Sequence, residues 1–178
     1  MSSRRVSAYT FHYHVRAMLF EGVWAGALAT TDVVARKAFG AGGGWILVLT
    51  AAPQIILFTS IFFSRLARRR GSRPGRFLWA GLLGRGILLG VAAVDSAPGF
   101  ILFITLSVMM QAYLVPAWNA IYQANYSPAD RGRQFGKAAA ISAVSTILTA
   151  LLSGRLLDYD REMYRWIFPI AGALWSVS

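Results

Sequence analysis

Three ionisable residues lie inside apolar stretches of this sequence, where they could contact a solute or carry a proton. Glu21 and Asp32 belong to residues 17–34, and Arg85 belongs to residues 77–94. Charged side chains in apolar helices are costly and usually face a cavity or a partner. In a continuous helix, their spacing places Glu21 and Asp32 on one face, ~16 Å apart along the axis. This pattern predicts a substrate- or proton-coupling face. Alternatively, each acid lies near a membrane interface, with Asp32 solvated or paired with Arg36.

Arg85 needs a partner if its helix crosses a bilayer, because an Arg at the centre of a spanning helix costs ~2.5–3.5 kcal/mol. It lies ~12 Å into its apolar stretch when counted from Phe77. Glu21 is the acid nearest to it in depth, so we expect the two to pair between helices. The alternative is that Arg85 extends its side chain to the headgroups at the cytoplasmic side.

Uncharged hydrogen-bonding groups form a second set of candidates near Pro116. Gln111, Trp118 and Asn119 lie in the long apolar stretch 99–122. One role for them is ordinary hydrogen bonding between helices, worth ~1 kcal/mol or less.

Other kinds of chemistry find little support in the sequence. The chain has no cysteine, which excludes disulfides, thiol catalysis and cysteine-ligated metals. His12 and His14 stand on a polar flank without a third ligand, so we expect no metal site. Nucleophile elbows, zinc-protease motifs and P-loops are absent. We therefore expect neither an enzyme nor a cofactor.

The elements that would position these residues are helices that cross a membrane. Of the 178 residues, 56% are hydrophobic and 14% are charged, against roughly 25% charged in soluble domains. Residues 38–64 and 96–129 carry no charge, and ~20 apolar residues suffice to cross a bilayer. The predicted fold is all-α: a polytopic bundle of about six spans after a polar N-terminal tail, residues 1–16. The expected spans are 17–34, 45–63, 77–94, 99–122, 137–157 and an incomplete 166–178.

The basic residues, which give a net charge of +11, lie between these spans. Twelve Lys and Arg fall on the side of the N-terminus and five on the other. Cytoplasmic loops collect Lys and Arg, so this asymmetry predicts a multi-pass protein of the cell (inner) membrane with a cytoplasmic N-terminus. The clustering in short loops argues against a nucleic-acid partner, which would require one basic solvent face.

Two loops resemble those of the major facilitator superfamily. Residues 64–73 are similar to the family pattern G-x-L-A-D-R-x-G-R-K between its second and third helices. The matching positions are Leu66, Ala67, Arg69, Gly71 and Arg73. Arg68 stands where the family has an acid, so the charge contacts of that acid are not carried over. A second loop resembles the family's acidic-Arg-Gly signature through Asp130, Arg131, Gly132 and Arg133.

The resemblance covers roughly residues 17–178 and corresponds to the N-terminal six-helix half of a twelve-helix transporter. It implies a secondary transporter that moves a small solute by alternating access once the missing C-terminal half, or a second copy, is present. It also implies that Gln111, Trp118 and Asn119 are candidates for substrate contact, because the family's fourth helix helps to line its cavity. The last span covers only ~20 Å of a ~30 Å hydrocarbon core, which suggests truncation within helix six. The alternative is a membrane interaction or assembly subunit that does not transport and that needs a partner half or a homodimer.

Overall fold

The computed structural model describes residues 3–69 and 74–176, and this part of the chain is helical, without a β-strand. Within the described residues, the connections between α-helices include two 3-10 turns, Gly90–Ala93 and Arg161–Met163. The α-helices are α1 (Ser3–Leu28), α2 (Thr31–Lys37), α3 (Gly43–Arg69), α4 (Pro74–Leu89), α5 (Ala97–Asn125), α6 (Pro128–Tyr159) and α7 (Tyr164–Ser176).

Three helical segments are long and apolar enough to cross a bilayer. They are Val6–Lys37, Ala97–Asn125 and Pro128–Tyr159. The apolar helical segments Gly43–Ile56 and Gly81–Ala93 are shorter. The all-helical class is thereby confirmed together with three segments that could span a membrane, whereas six spans remain a prediction.

The first predicted span is not one continuous helix, because the helix is interrupted between Leu28 and Thr31. The hydroxyls of Thr30 and Thr31 donate to the carbonyl oxygens of Ala27 and Leu28, both at 2.8 Å. These side chains satisfy carbonyl groups at the end of α1 and so replace helical bonds there. At its other end α1 begins at Ser3, so residues 3–16 of the predicted tail are helical.

The helix α6 begins earlier than the sequence suggests. The Ser127 hydroxyl accepts a hydrogen bond from the backbone N–H of Asp130 at 3.2 Å, and Pro128 follows directly in the first turn. Ser as N-cap followed by Pro is a strong helix start. Asp130, Arg131, Gly132 and Arg133 therefore lie in the first turns of α6 and not in a loop.

The helices α1 and α6 run side by side in the same direction. Gln134 donates to the Ser7 hydroxyl at 3.3 Å, and further along Ser145 donates to the carbonyl oxygen of Leu19 at 2.8 Å. A Cβ atom on Gly22 would lie 2.5 Å from the carbonyl oxygen of Ser142. Glycine is required here because any larger residue would push the two backbones apart.

Two ion pairs fasten the end of the bundle opposite the N-terminus. Lys37 contacts Asp158 at 2.7 Å and joins α2 to the end of α6. Arg165, at the start of α7, pairs with Asp95 and also donates to the carbonyl oxygen of Ala92 at 2.7 Å. The core beneath them combines aliphatic side chains with aromatic rings, and Phe100 packs against Phe168. These contacts join α2 to α6, and they join α7 to α5 and to the turn after α4.

Candidate functional site

A buried polar cluster joins α1, α4, α5 and α7. At its centre, the side-chain amide of Gln111 donates a hydrogen bond to Oε1 of Glu21. Arg85 interacts with the same carboxyl group through its charge, and its guanidinium lies over the ring of Trp175. We call Glu21, Arg85, Gln111 and Trp175 the polar cluster.

Stacked rings hold the guanidinium of Arg85 in this cluster. It lies over the Trp175 ring, 4.9 Å from the ring centroid. The other partner of that ring is Trp24, whose centroid is 4.8 Å away with the planes tilted by 25°. A cation over an indole gains roughly 2 kcal/mol when water is excluded. Arg85 is thus directed into the bundle and not to the headgroups.

A chain of two hydrogen bonds connects Trp24, through Ser107, to the backbone next to Arg85. Trp24 donates through Nε1 to the Ser107 hydroxyl at 3.4 Å, and Ser107 donates to the carbonyl oxygen of Gly84 at 3.2 Å. Ser107 is fully buried. Because Gly84 precedes Arg85, this chain fixes the backbone that carries the guanidinium.

The cluster lies near the middle of the bundle's height. Along their helices, Arg85 and Trp175 are ~17 Å from Pro74 and Tyr164, and Gln111 is ~21 Å from Ala97, at 1.5 Å per residue. A bilayer core is ~30 Å thick, so an acid, a base and an amide would meet far from either surface.

Of the predicted site residues, the structure brings together Glu21, Arg85 and Gln111 and separates the others from them. Asp32 lies half-buried in the first turn of α2, beyond the break in the helix. Its spacing from Glu21 therefore does not fix a common face, and its predicted ion pair with Arg36 is not among the ion pairs of the described residues. Trp118 packs at the edge of the core, and Asn119 is exposed.

The described residues of the two resembling segments lie on α3 and α6 and not on the helices that form the cluster. The helix α3 continues through Leu66, Ala67, Arg68 and Arg69, of which only the backbone is described. Gly71 and Arg73 lie outside the described residues. In α6, Arg133 pairs with Asp130 at 2.8 Å, and Arg131 donates to the carbonyl oxygen of Gln123 at 2.8 Å. Gly132 is exposed.

Sequence reasoning missed a buried histidine at the N-terminal end of the bundle. His14 is 2% exposed, stacks on Tyr122 with centroids 3.8 Å apart, and lies 3.0 Å through Nδ1 from the Tyr126 hydroxyl. Burial, with a smaller contribution from Tyr122, raises the pKa of Tyr126 to about 12, so this hydroxyl stays protonated and can donate to His14. The signal lay in the Tyr-x-x-x-Tyr spacing at the end of α5, where Tyr126 directly follows the helix and its ring stacks with that of Tyr122.

The polar cluster can hold or release a proton and can accept hydrogen bonds. Oε1 of Gln111 is buried and accepts no hydrogen bond from the described residues, which is costly for a buried acceptor. A solute with a donor group would satisfy it. Among the described residues, no group of three or more His, Cys, Asp or Glu side chains could hold a metal ion.

Comparison with known proteins adds no identification: no protein-family model matches the chain, and a search of curated proteins gives no match.

Proposed function

We propose that this chain is one six-helix half of a secondary transporter of the major facilitator type, which moves a small solute across the cell membrane by alternating access. The observation that supports this most strongly is the polar cluster of Glu21, Arg85, Gln111 and Trp175. It gathers side chains from four helices at mid-height of an otherwise apolar bundle. Transporters of this kind bind solute and coupling ion near the bilayer midplane, between two repeats.

The side chains of the cluster could exchange their contacts with one another for contacts with a solute. Glu21 is held by Gln111 and attracted by Arg85, so a solute that competes for either contact would alter the other. The unpartnered Oε1 of Gln111 offers an acceptor for such a solute. A ligand shifts a conformational equilibrium only by its differential affinity for the two states, and competition for shared contacts supplies such a difference.

A second support is a polar residue on the outside of the bundle. Asn119 is exposed on α5, ~9 Å from the end of the helix at Asn125. Polar side chains within spanning helices usually face a partner helix or a water-filled cavity, because lipid leaves them without hydrogen bonds. In the proposed transporter, Asn119 faces the cavity between this half and its partner, which is a C-terminal half or a second copy.

The exposed aromatic residues support the proposed position in the membrane. Tyr9 and Tyr13 are exposed near the start of α1, and Tyr159 and Trp166 are exposed at the opposite end. Tyr and Trp are enriched at both membrane–water interfaces. Two such bands fit a multi-pass bundle, and the basic excess at the N-terminal end supports a cytoplasmic position for that end.

Single-cysteine labelling in native membranes tests the proposal, because the chain has no cysteine of its own. Asn119→Cys should react with a water-soluble maleimide, since the proposed cavity contains water. Val144→Cys is the matched control: Val144 is 58% exposed on α6, lies ~10 Å from Lys137, and should stay unlabelled in lipid. Equal protection of both cysteines would refute a water-lined face at Asn119. A disulfide formed between two Asn119→Cys chains would identify a second copy, and not a C-terminal half, as the partner that faces Asn119.

A further inference from the structure

An apolar groove runs along the outside of the bundle between α1 and α6. It has a volume of about 480 Å³ and is lined by Leu19, Ala140, Ile141, Val144, Ser145, Leu148 and Thr149. Of its lining residues, Val144 and Leu148 are 58% and 63% exposed. The hydroxyl of Ser145 is already used, because it donates to the carbonyl oxygen of Leu19. The groove therefore presents an apolar surface even at Ser145, because the hydroxyl proton of Ser145 is already donated to Leu19.

The close approach of α1 and α6 produces the groove. Gly22 and Gly26 allow near contact, with would-be Cβ atoms 2.5 and 2.6 Å from the carbonyl oxygens of Ser142 and Thr146. Leu19 stands one turn before Gly22 and forms one wall, while the small side chain of Ala140 leaves the other side open. The groove is thus a fixed part of the helix crossing.

Two cations lie at one end of the groove and not at the other. Lys137 is one turn before Ile141 on α6, and Arg16 is one turn before Leu19 on α1, so each shares the face of a lining residue. Both are exposed, and neither is in an ion pair among the described residues. Because helical side chains tilt towards the N-terminus, both extend away from the groove floor and towards the N-terminal end of the bundle.

Interfacial side chains mark the same end as the headgroup level. Tyr9 and Tyr13 are exposed on α1, two turns and one turn before Arg16 respectively, and the Tyr9 hydroxyl donates to that of Tyr13 at 3.1 Å. From Ala140 to Thr149 the groove is ~13.5 Å long, close to the ~15 Å that one leaflet contributes to a ~30 Å hydrocarbon core. Its length thus fits an acyl chain of the leaflet whose headgroups meet Arg16 and Lys137.

We propose that this groove is a binding site for an anionic phospholipid, with one acyl chain along Ala140, Val144 and Leu148 and the phosphate headgroup between Arg16 and Lys137. The apolar groove alone would accept any lipid tail. The two cations at one end select a negatively charged headgroup, since each basic residue near an anionic membrane surface contributes about 1 kcal/mol. The site is independent of transport and needs only that the bundle lie in a bilayer.

The test compares binding of phosphatidylglycerol and phosphatidylcholine, with identical acyl chains, to the purified chain in detergent by native mass spectrometry. Wild type should retain phosphatidylglycerol in preference to phosphatidylcholine. The double variant Arg16→Gln with Lys137→Gln should bind it about 30-fold more weakly, because two such contacts multiply. Arg155→Gln is the matched control: it removes one exposed charge from the opposite end of α6 and should leave binding unchanged.

A third variant distinguishes the contribution of the groove to lipid binding from that of the two charges. Ala140→Phe, at an exposed position, fills the groove and should reduce retention of both lipids while the cations remain. Raising the salt concentration should weaken phosphatidylglycerol binding in wild type but not in the double variant, because salt screens exposed charges. Equal retention of the two lipids by wild type would overturn the proposal, and so would a loss in Arg155→Gln as large as in the double variant. All substituted side chains are exposed, so folding is expected to survive and circular dichroism checks it.

Discussion

The coupling between Glu21 and Arg85 can be measured with a double-mutant cycle of Glu21→Gln and Arg85→Gln. Glu21→Gln keeps an oxygen for the hydrogen bond from Gln111 but removes the negative charge that attracts Arg85. Arg85→Gln removes the cation and its contact with the Trp175 ring. Each single variant leaves one charge in the apolar interior without its counter-charge, whereas the double variant leaves none.

The expected magnitude follows from what each variant retains. Removing one partner of a buried ion pair costs about 3–5 kcal/mol in soluble proteins, but polar contacts within membranes average only about 0.6 kcal/mol. Arg85 keeps its place over Trp175 in Glu21→Gln, so we expect each single variant to lose about 1–3 kcal/mol. The double variant should lose at least about 1 kcal/mol less than the sum, because its interior carries no uncompensated charge.

Thermal unfolding in detergent, followed by circular dichroism, measures this coupling. For a protein of this size, 1 kcal/mol corresponds to a shift of about 2–4 °C in the midpoint. A second cycle that pairs Arg85→Gln with Asn119→Ala is the control and should be additive, because Asn119 is exposed and lies outside the cluster. If the Glu21 and Arg85 effects add within about 0.5 kcal/mol, the two residues are not coupled, and the interpretation of the cluster as an acid–base pair is refuted.

Two further substitutions probe the packing that holds the cluster in place. Gly22→Val should lower the unfolding midpoint by several degrees, because the valine side chain would clash with the Ser142 carbonyl and overpacking costs about 1–3 kcal/mol. Gly132→Val, at an exposed helical position, is the control for the effect of a β-branched residue in a helix. Equal losses in the two variants would contradict the close crossing of α1 and α6. Tyr126→Phe should lower the free energy of unfolding by about 1–3 kcal/mol in the same assay, since it removes the hydroxyl beside the buried Nδ1 of His14. Tyr9→Phe is the control and should change stability little. An unchanged stability of Tyr126→Phe would contradict the contact between Tyr126 and His14.

Much of the helical framework could be predicted from composition. The uncharged stretches 38–64 and 96–129 required long apolar helices, and α3 and α5 occupy them. The proximity of Glu21 and Arg85 also followed from a simple physical argument: two opposite charges at similar depth in an apolar medium are strongly attracted. Gln111 was recognised only as a hydrogen-bonding group, because its partner on another helix depends on how α1 and α5 pack.

Local hydrogen bonding explains the boundaries that the sequence did not reveal. Hydropathy treats residues 17–34 as uniform, but the Thr30 and Thr31 hydroxyls compete with the backbone and interrupt the helix. Charge patterning places Asp130 to Arg133 in a loop, yet the Ser127 cap and Pro128 begin α6 before them. Averaged hydrophobicity cannot detect either effect, since each depends on one or two polar atoms.

The position of Trp175 in the cluster could not be predicted from the spacing of residues in the sequence. It lies near the end of α7, in the stretch that appeared too short to span a membrane, and nothing in its sequence neighbourhood indicates a polar partner. Its place is set by packing: a Cβ on Gly172 would lie 2.8 Å from the carbonyl oxygen of Arg85, so glycine brings α7 directly against α4. The ring of Trp175 then fits between Trp24 and the guanidinium of Arg85. The electrostatics of Glu21 thus depend on a glycine contact between two other helices, and a change at Gly172 should disturb the interaction between Glu21 and Arg85 without altering either side chain.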